Sequence, residues 1–165
     1  MTAVTGKVLF LDVDGVLNCY RSVMAFGNGS RIFDPSSVRL VEKLVRKSSA
    51  AIVWSTSWRG EAGGHYPEWA CHLHDVLSAT PLTDDRFWRD HLRTPLATPR
   101  IAGASRGVEI NRWLADTGIS RDQVVILDDD EEMAPLCDRF VRTSYLHGFG
   151  AEEYKRACEL FRVEP

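Results

Sequence analysis

Val8-Leu9-Phe10-Leu11-Asp12-Val13-Asp14-Gly15-Val16 begins with four consecutive apolar residues and ends in two carboxylates, two positions apart, with a glycine behind them. A continuous apolar run, as opposed to an alternating one, means a strand covered on both faces. Ala50-Ala51-Ile52-Val53-Trp54 and Val124-Val125-Ile126-Leu127 repeat the pattern, and each is followed at once by polar residues. Between the first two runs the sequence predicts a helix, with Asp34 as N-cap, Pro35 at its first position, and Val38, Val41, Leu44 and Val45 at helical spacing. A second helix is expected over about 68–77, and a third from Arg106 through Ile110, Trp113 and Leu114 to a terminating Gly118. Arg139 to Thr143 reads as a further strand, and Ala151 to Arg162 as an amphipathic helix with Tyr154, Ala157, Cys158 and Phe161 in register.

Strands alternating with helices imply right-handed crossovers, so the expected fold is α/β: a doubly wound, mostly parallel sheet with helices on both faces. Ligands of such sheets sit beyond the carboxyl ends of the strands. Three clusters should therefore converge: Asp12 and Asp14; Ser55, Thr56 and Ser57; and Asp128, Asp129 and Asp130.

Composition narrows the alternatives. With 165 residues, 44% of them hydrophobic and 26% charged, the chain falls among soluble globular domains and is long enough to bury a core without disulfides or a structural metal. One domain over 1–165 is expected, with an elaborated connection at about 81–105 that is rich in Pro, Thr, Arg and Gly. The 20 Lys and Arg against 23 Asp and Glu give a net charge of −3, which disfavours a broad basic nucleic-acid surface. An anionic substrate must then be held by a local cluster. Cys19, Cys71, Cys137 and Cys158 are scattered without a CxxC pair, so a reduced, cytoplasmic protein is expected. The run before Asp12 is too short for a signal-peptide core or a membrane span, so no membrane partner is expected.

Asp12 and Asp14 leave a buried strand facing the same way, and Gly15 lets the backbone turn sharply and expose its N–H groups. A strand-ending Asp turn is the plain alternative. Three more carboxylates at Asp128, Asp129 and Asp130 would repel these two unless a divalent cation sits among them. All-oxygen donors point to Mg²⁺, and a carboxylate-held Mg²⁺ commonly completes its shell with phosphate. Ser55, Thr56 and Ser57 offer hydroxyl and backbone donors, and Arg106 a fixed positive charge. Each of these alone reads equally well as a turn, a cap or a surface arginine; their coincidence gives the functional reading. Cys71-His72-Leu73-His74, with His65 upstream, makes no metal site at helical spacing, which sets His72 and His74 on different faces. Trp54 reads as core and Trp58 as a border of the substrate pocket.

Together, Leu9 to Val16, the Ser/Thr after Ala51 to Trp54, the basic Arg106, and Leu127-Asp128-Asp129 resemble the four motifs of the haloacid dehalogenase (HAD) superfamily of phosphatases. Leu17-Asn18, Ser57-Trp58-Arg59 and Arg106 to Leu114 further resemble the HAD domains of Swiss army knife RNA repair proteins. The resemblance implies that Asp12 is the nucleophile and Asp14 the general acid/base, in a two-step hydrolysis of phosphate monoesters. It implies Mg²⁺ held by Asp12, the Asp14 carbonyl, Asp128 and Asp129, with Thr56 and Arg106 stabilising the transferring phosphoryl group. Gly15, Ser57 and Arg59 would contact substrate. Arg106 departs from the more usual Lys, and Ser55 competes with Thr56 for the second motif.

The stretch from Gly15 to Phe33 is too short for a helical cap domain, so the site should be open or covered only by a small lid. Such a site suits a phosphorylated nucleotide or oligonucleotide end, although a metabolite phosphatase or a non-catalytic HAD-fold module shares the same framework. A receiver domain would carry a lysine on a later strand, and none lies between Lys47 and Lys155. Arg86, Arg89 and Arg93 interleave with Phe87 and Trp88, a pattern suited to phosphate contact and base stacking at Arg89 and Arg93. The alternative there is a helix whose Phe87 and Trp88 pack inward. The oligomeric state is not encoded in any motif.

Overall fold

The computed structural model describes residues 6–26, 33–59, 73, 75–80, 83–130 and 132–165. Each apolar run forms a strand: β1 Val8–Leu11, β2 Ala51–Trp54 and, later in the chain, β4 Val124–Asp128. With β3 Leu92–Ala97 and β5 Phe140–Arg142 they make a five-stranded sheet in the order β3-β2-β1-β4-β5, every pairing parallel. The chain steps outward from β1 to one edge, then crosses back to build the other side. The reversal falls between β1 and β4, the place where open α/β sheets leave a crevice for ligands.

Helices cover both faces, which explains why the strands are apolar throughout. Leu9, Leu11, Ile52, Trp54, Val125 and Leu127 pack toward α2 Pro35–Ser48 and α5 Ala151–Phe161, in one core. Val8, Phe10, Val53, Val124 and Ile126 point the other way, onto Ile110, Trp113 and Leu114 of α4 Arg106–Thr117. The Phe10 and Trp113 rings meet at right angles, 5.2 Å between centroids. Side chains fully buried like these each stabilise the fold by about 1.5–3 kcal/mol, so the two layers hold the strands firmly in register.

The helix ends are the expected ones. Asp34 accepts from the Ser36 and Ser37 amides at 2.8 and 3.4 Å, with Pro35 at the first position and Arg46 and Lys47 in the last turn. The Gly118 amide, at φ 72°, closes α4 on the Leu114 carbonyl. One element was not anticipated: the flap after β1 carries α1 Tyr20–Phe26, whose start is tied by the Cys19 amide to Ser22 Oγ at 2.9 Å. A helix of seven residues spans about two turns, too few for a periodicity to be read. Of the helix expected over 68–77, residues 75–77 are helical, in a stretch that runs to residue 79, and 68–72 lie outside the described residues, as do Cys71, His65, His72 and His74.

The connection at 81–105 contains α3 Asp85–His91 and then β3. Phe87 and Trp88 are buried, with Trp88 stacked on Trp54 at 5.9 Å and its Nε1 donating to Glu42 Oε1 at 2.8 Å. The inward-packing alternative for this segment is the one observed.

Candidate active site

Register builds the site. Leu11 pairs with both Trp54 and Leu127, so the residue after each stands level with the others at the carboxyl edge. The backbone ladder continues one step past the strands: the Asp12 amide donates to the Leu127 carbonyl at 3.0 Å, Ser55 to Leu11 at 2.9 Å, and Thr98 to Trp54 at 3.0 Å. Asp12, Ser55 and Asp128 are thereby aligned by main chain before any side-chain contact is made.

Two glycines then permit close approach. Gly15 has φ 70°, and a Cβ there would lie 2.3 Å from Asp129 Oδ2, so only glycine lets the turn after β1 meet the turn after β4. Gly107, the second residue of α4, would place a Cβ 2.4 Å from the Ala134 carbonyl. That contact, with the Gly107 amide donating to Glu132 O at 3.2 Å, seats the start of α4 on the loop after β4 and brings Arg106 to the acids.

Carboxylate oxygens of Asp12, Asp128 and Asp129 lie within 4.8 Å of one another. Arg106 is their counter-charge, with Nε 3.1 Å from Asp128 Oδ2 and Nη2 3.9 Å from Asp12 Oδ2. Its charge does not suffice. Burial pushes the Asp12 carboxyl up to about 6, against the opposing pull of Arg106, the Thr56 side chain and the Val13 amide. Burial and then the neighbouring Asp12 push Asp128 up to about 7, and burial also raises Asp129. Three mutually repelling carboxylates in so small a space, two of them buried, are a donor set that fits a hard divalent cation with oxygen ligands.

The remaining candidates divide. Thr56 is fully buried, accepts the Trp58 amide through Oγ1 at 3.3 Å and pulls the Asp12 carboxyl down, whereas the equally buried Ser55 Oγ has no hydrogen-bond partner. The Asp14 carboxylate stands apart from the acidic group, held by Trp58 Nε1 at 2.8 Å and Asn18 Nδ2 at 2.9 Å. Asn18 in turn accepts the Gly15 amide through Oδ1 at 3.2 Å. Ser57 and Arg106 line a cleft of about 490 Å³, walled by residues 100–105 and reaching Asp130 and Glu132.

Arg59, Arg89 and Arg93 are placed differently from the residues that face the acids. Arg59 borders the cleft, yet it is buried and its donors are taken: Nε by the Thr56 carbonyl at 2.6 Å, Nη1 by Thr98 Oγ1 at 2.6 Å and the Thr98 carbonyl, and Nη2 by Glu109 Oε2 at 2.9 Å. Its guanidinium thereby ties the loop after β2 to the loop after β3 and to α4. The backbone at Arg89 and Arg93 does not run beside the acidic group. Arg89 is exposed on α3 and Arg93 follows at the start of β3, whereas the acids stand beyond the strands' carboxyl ends. Burial of the neighbouring Phe87 and Trp88 fixes α3 against the sheet and α2 instead.

Asn18 is quoted in the sequence only within the Leu17-Asn18 motif, with no role of its own, and Glu109 is not singled out. Glu109 falls three residues after Arg106, on the same helical face, and that spacing is the signal that was there to find.

A doubly wound parallel sheet with clustered carboxylates at its switch point, a hydroxyl at the adjoining strand end and an arginine opening the next crossover helix defines a HAD-type domain. A family model described as the HAD domain in Swiss Army Knife RNA repair proteins matches residues 8–154, and the chain belongs to that family. No curated protein matches it significantly. Among the described residues, no helix is long and apolar enough to cross a membrane.

Proposed function

We propose that this domain is a Mg²⁺-dependent phosphatase that hydrolyses phosphate monoesters at nucleotide or nucleic-acid ends through an aspartyl-phosphate on Asp12. The observation that carries the reading is the meeting of Asp12, Asp128 and Asp129 within 4.8 Å, with Arg106 beside them. Family membership in RNA repair supports the substrate class. So do the connections after β1 and β2, which among the described residues hold short helices and no separate cap domain.

Asp12 is oriented for attack because the Val13 amide holds its Oδ1 at 2.7 Å. Its other oxygen faces Arg106. In-line attack on phosphorus expels the leaving oxygen, which takes a proton from Asp14. Asp14 then removes a proton from the water that hydrolyses the acyl phosphate, regenerating both residues. Trp58 and Asn18 aim Asp14 for both transfers. Arg106 offsets charge on the phosphoryl oxygens. Asp12, Asp128, Asp129 and the Asp14 carbonyl would hold Mg²⁺, which when bound supplies further electrostatic stabilisation of that charge.

Hydrolysis of 3′- and 5′-phosphorylated oligonucleotides, nucleotides and sugar phosphates, with Mg²⁺ or EDTA, tests this. The expected result is metal-dependent release of phosphate from the nucleic-acid ends, lost by about 10³-fold or more in Asp12→Asn. Metal-independent turnover, or turnover that survives this substitution, overturns the mechanism. Preference for sugar phosphates overturns the substrate class.

A further inference from the structure

Glu109 is a charged residue only 5% exposed, and it lies behind the arginine of the site. Its two oxygens have separate duties. Oε1 accepts the Ile101 amide at 2.9 Å and so fixes the loop that walls the cleft. Oε2 is shared between two guanidinium groups: Arg59 Nη2 at 2.9 Å and Arg106 Nη1 at 3.7 Å. Arg59 is itself pinned to the carbonyls of Thr56 and Thr98, so Glu109 is bound to an anchor that spans the loop after β2 and the loop after β3.

Arg106 is in a demanding position. It is the first residue of α4, where the helix dipole adds positive potential and disfavours a cation. On its other side stand Asp128 and Asp12. A guanidinium with acids on one side only collapses onto them and fills the space in which a phosphoryl group must sit. Glu109 draws the third nitrogen the opposite way, and the fork is thereby held with Nε toward Asp128, Nη2 toward Asp12 and Nη1 toward Glu109.

Resting on the phosphatase reading above, we propose that Glu109 is a positioning residue for phosphoryl transfer: braced by Arg59, it sets the orientation of the Arg106 guanidinium beside Asp12. It stands outside the Asp12–Asp128–Asp129 group and acts through Arg106. The simpler role, neutralising Arg59 and nothing more, makes a different prediction, because it does not need Arg106.

A double-substitution cycle in the full chain separates the two. Steady-state hydrolysis of p-nitrophenyl phosphate with Mg²⁺ is measured for the native protein, Glu109→Gln, Arg106→Ala and the double variant. Gln keeps the shape and an acceptor for Ile101. The expected result is a kcat lowered about 10- to 100-fold by Glu109→Gln with KM changed far less, the scale of a misplaced catalytic group, and a cost under about twofold once Arg106 is absent. Equal losses in both backgrounds overturn the proposal. If Glu109→Gln does not fold, Glu109→Asp, which retains the charge on a shorter arm, takes its place in the cycle with the same two outcomes. The order of the Arg106 Nε–H, read by ¹⁵N relaxation, gives a second measurement that needs no turnover: it should fall in the Glu109 variant, and an unchanged order overturns the proposal. Should the native chain show no Asp12-dependent hydrolysis, the phosphatase reading fails, and the relaxation measurement alone decides the role of Glu109.

Discussion

Two buried charge clusters meet at Arg106 and differ in how completely the fold satisfies them. In the Arg59–Glu109 pair, every nitrogen of Arg59 and both oxygens of Glu109 have partners within the chain. In the Asp12–Asp128–Asp129 group the acids outnumber the one guanidinium that faces them, and burial lifts all three carboxyls above their ordinary value. Charge that the fold compensates is framework. Charge that it leaves uncompensated costs stability, and a domain of this size retains that cost where something cationic arrives to relieve it.

Substituting the deepest of the surplus acids should break the contrast most severely. Asp128→Asn is expected to lower kcat/KM by about 10²- to 10³-fold, because it removes a metal donor and an Arg106 partner together. Its effect on stability should have the opposite sign above neutrality. The folded-state values of about 6 and about 7 for Asp12 and Asp128 lie above the ordinary 3.8, so the folded chain holds protons that the unfolded chain has released. The contribution of these two groups to the stability of the metal-free protein is therefore full below about pH 4 and is lost as pH rises through 7. Calorimetry in EDTA should find Asp128→Asn with a raised Tm at pH 8 and a nearly unchanged one at pH 4. Mg²⁺ should raise the native Tm more at pH 8 than at pH 5. A lowered Tm for the variant at pH 8 without metal would place Asp128 with the framework instead.

A smaller effect is expected at the junction of the two clusters' loops. Trp58 follows the second motif, tilts against Phe33 at 5.8 Å and donates its indole N–H to Asp14. Trp58→Phe keeps most of the ring packing and removes the donor, leaving Asn18 to hold Asp14. The expected loss in kcat is about tenfold, within the range for general acid–base catalysis, with a shifted pH–rate profile. An unaltered profile would make Trp58 a packing residue.

Much of this arrangement was legible before any coordinates. Continuous apolar runs at β1, β2 and β4 specify strands buried on both faces, and the polar residues after them had to converge once the sheet was parallel. That single deduction brings together Asp12 and Asp14, Ser55 to Ser57, and Asp128 to Asp130; the preference for Thr56, Asp128 and Asp129 among them, and the role given to Arg106, rest on the family resemblance. What it could not reach depends on side-chain direction. Arg59 and Arg106 are alike in sequence, both arginines near strand ends, yet one is consumed by carbonyls and Glu109 while the other faces the acids. Only the position of loop 98–101, which has no periodicity, distinguishes them. Helix α1 is too short, and too little buried, to announce itself.

The Arg86–Arg93 segment shows the same limit from the other side, and supplies the smallest effect. Its sequence mixes arginines with aromatics in the way a nucleic-acid surface does, but composition carries no information on which end of a sheet a segment occupies. Phe87 and Trp88 are consumed by the core, Arg46 lies over the Phe87 ring at 4.7 Å, and α3 leads into the amino end of the edge strand. Charge reversal by Arg89→Glu and Arg93→Glu should therefore change kcat/KM on end-phosphorylated oligonucleotides by less than about twofold and leave its salt dependence unaltered, as expected of charges that neutralise no phosphate. The same reversal at Arg100, on the wall of the cleft, should raise KM and flatten the salt dependence. If the α3 pair gave the larger effect, the substrate would have to wrap past the sheet edge, and the division between a charged end that binds phosphate and an edge that only packs would not hold.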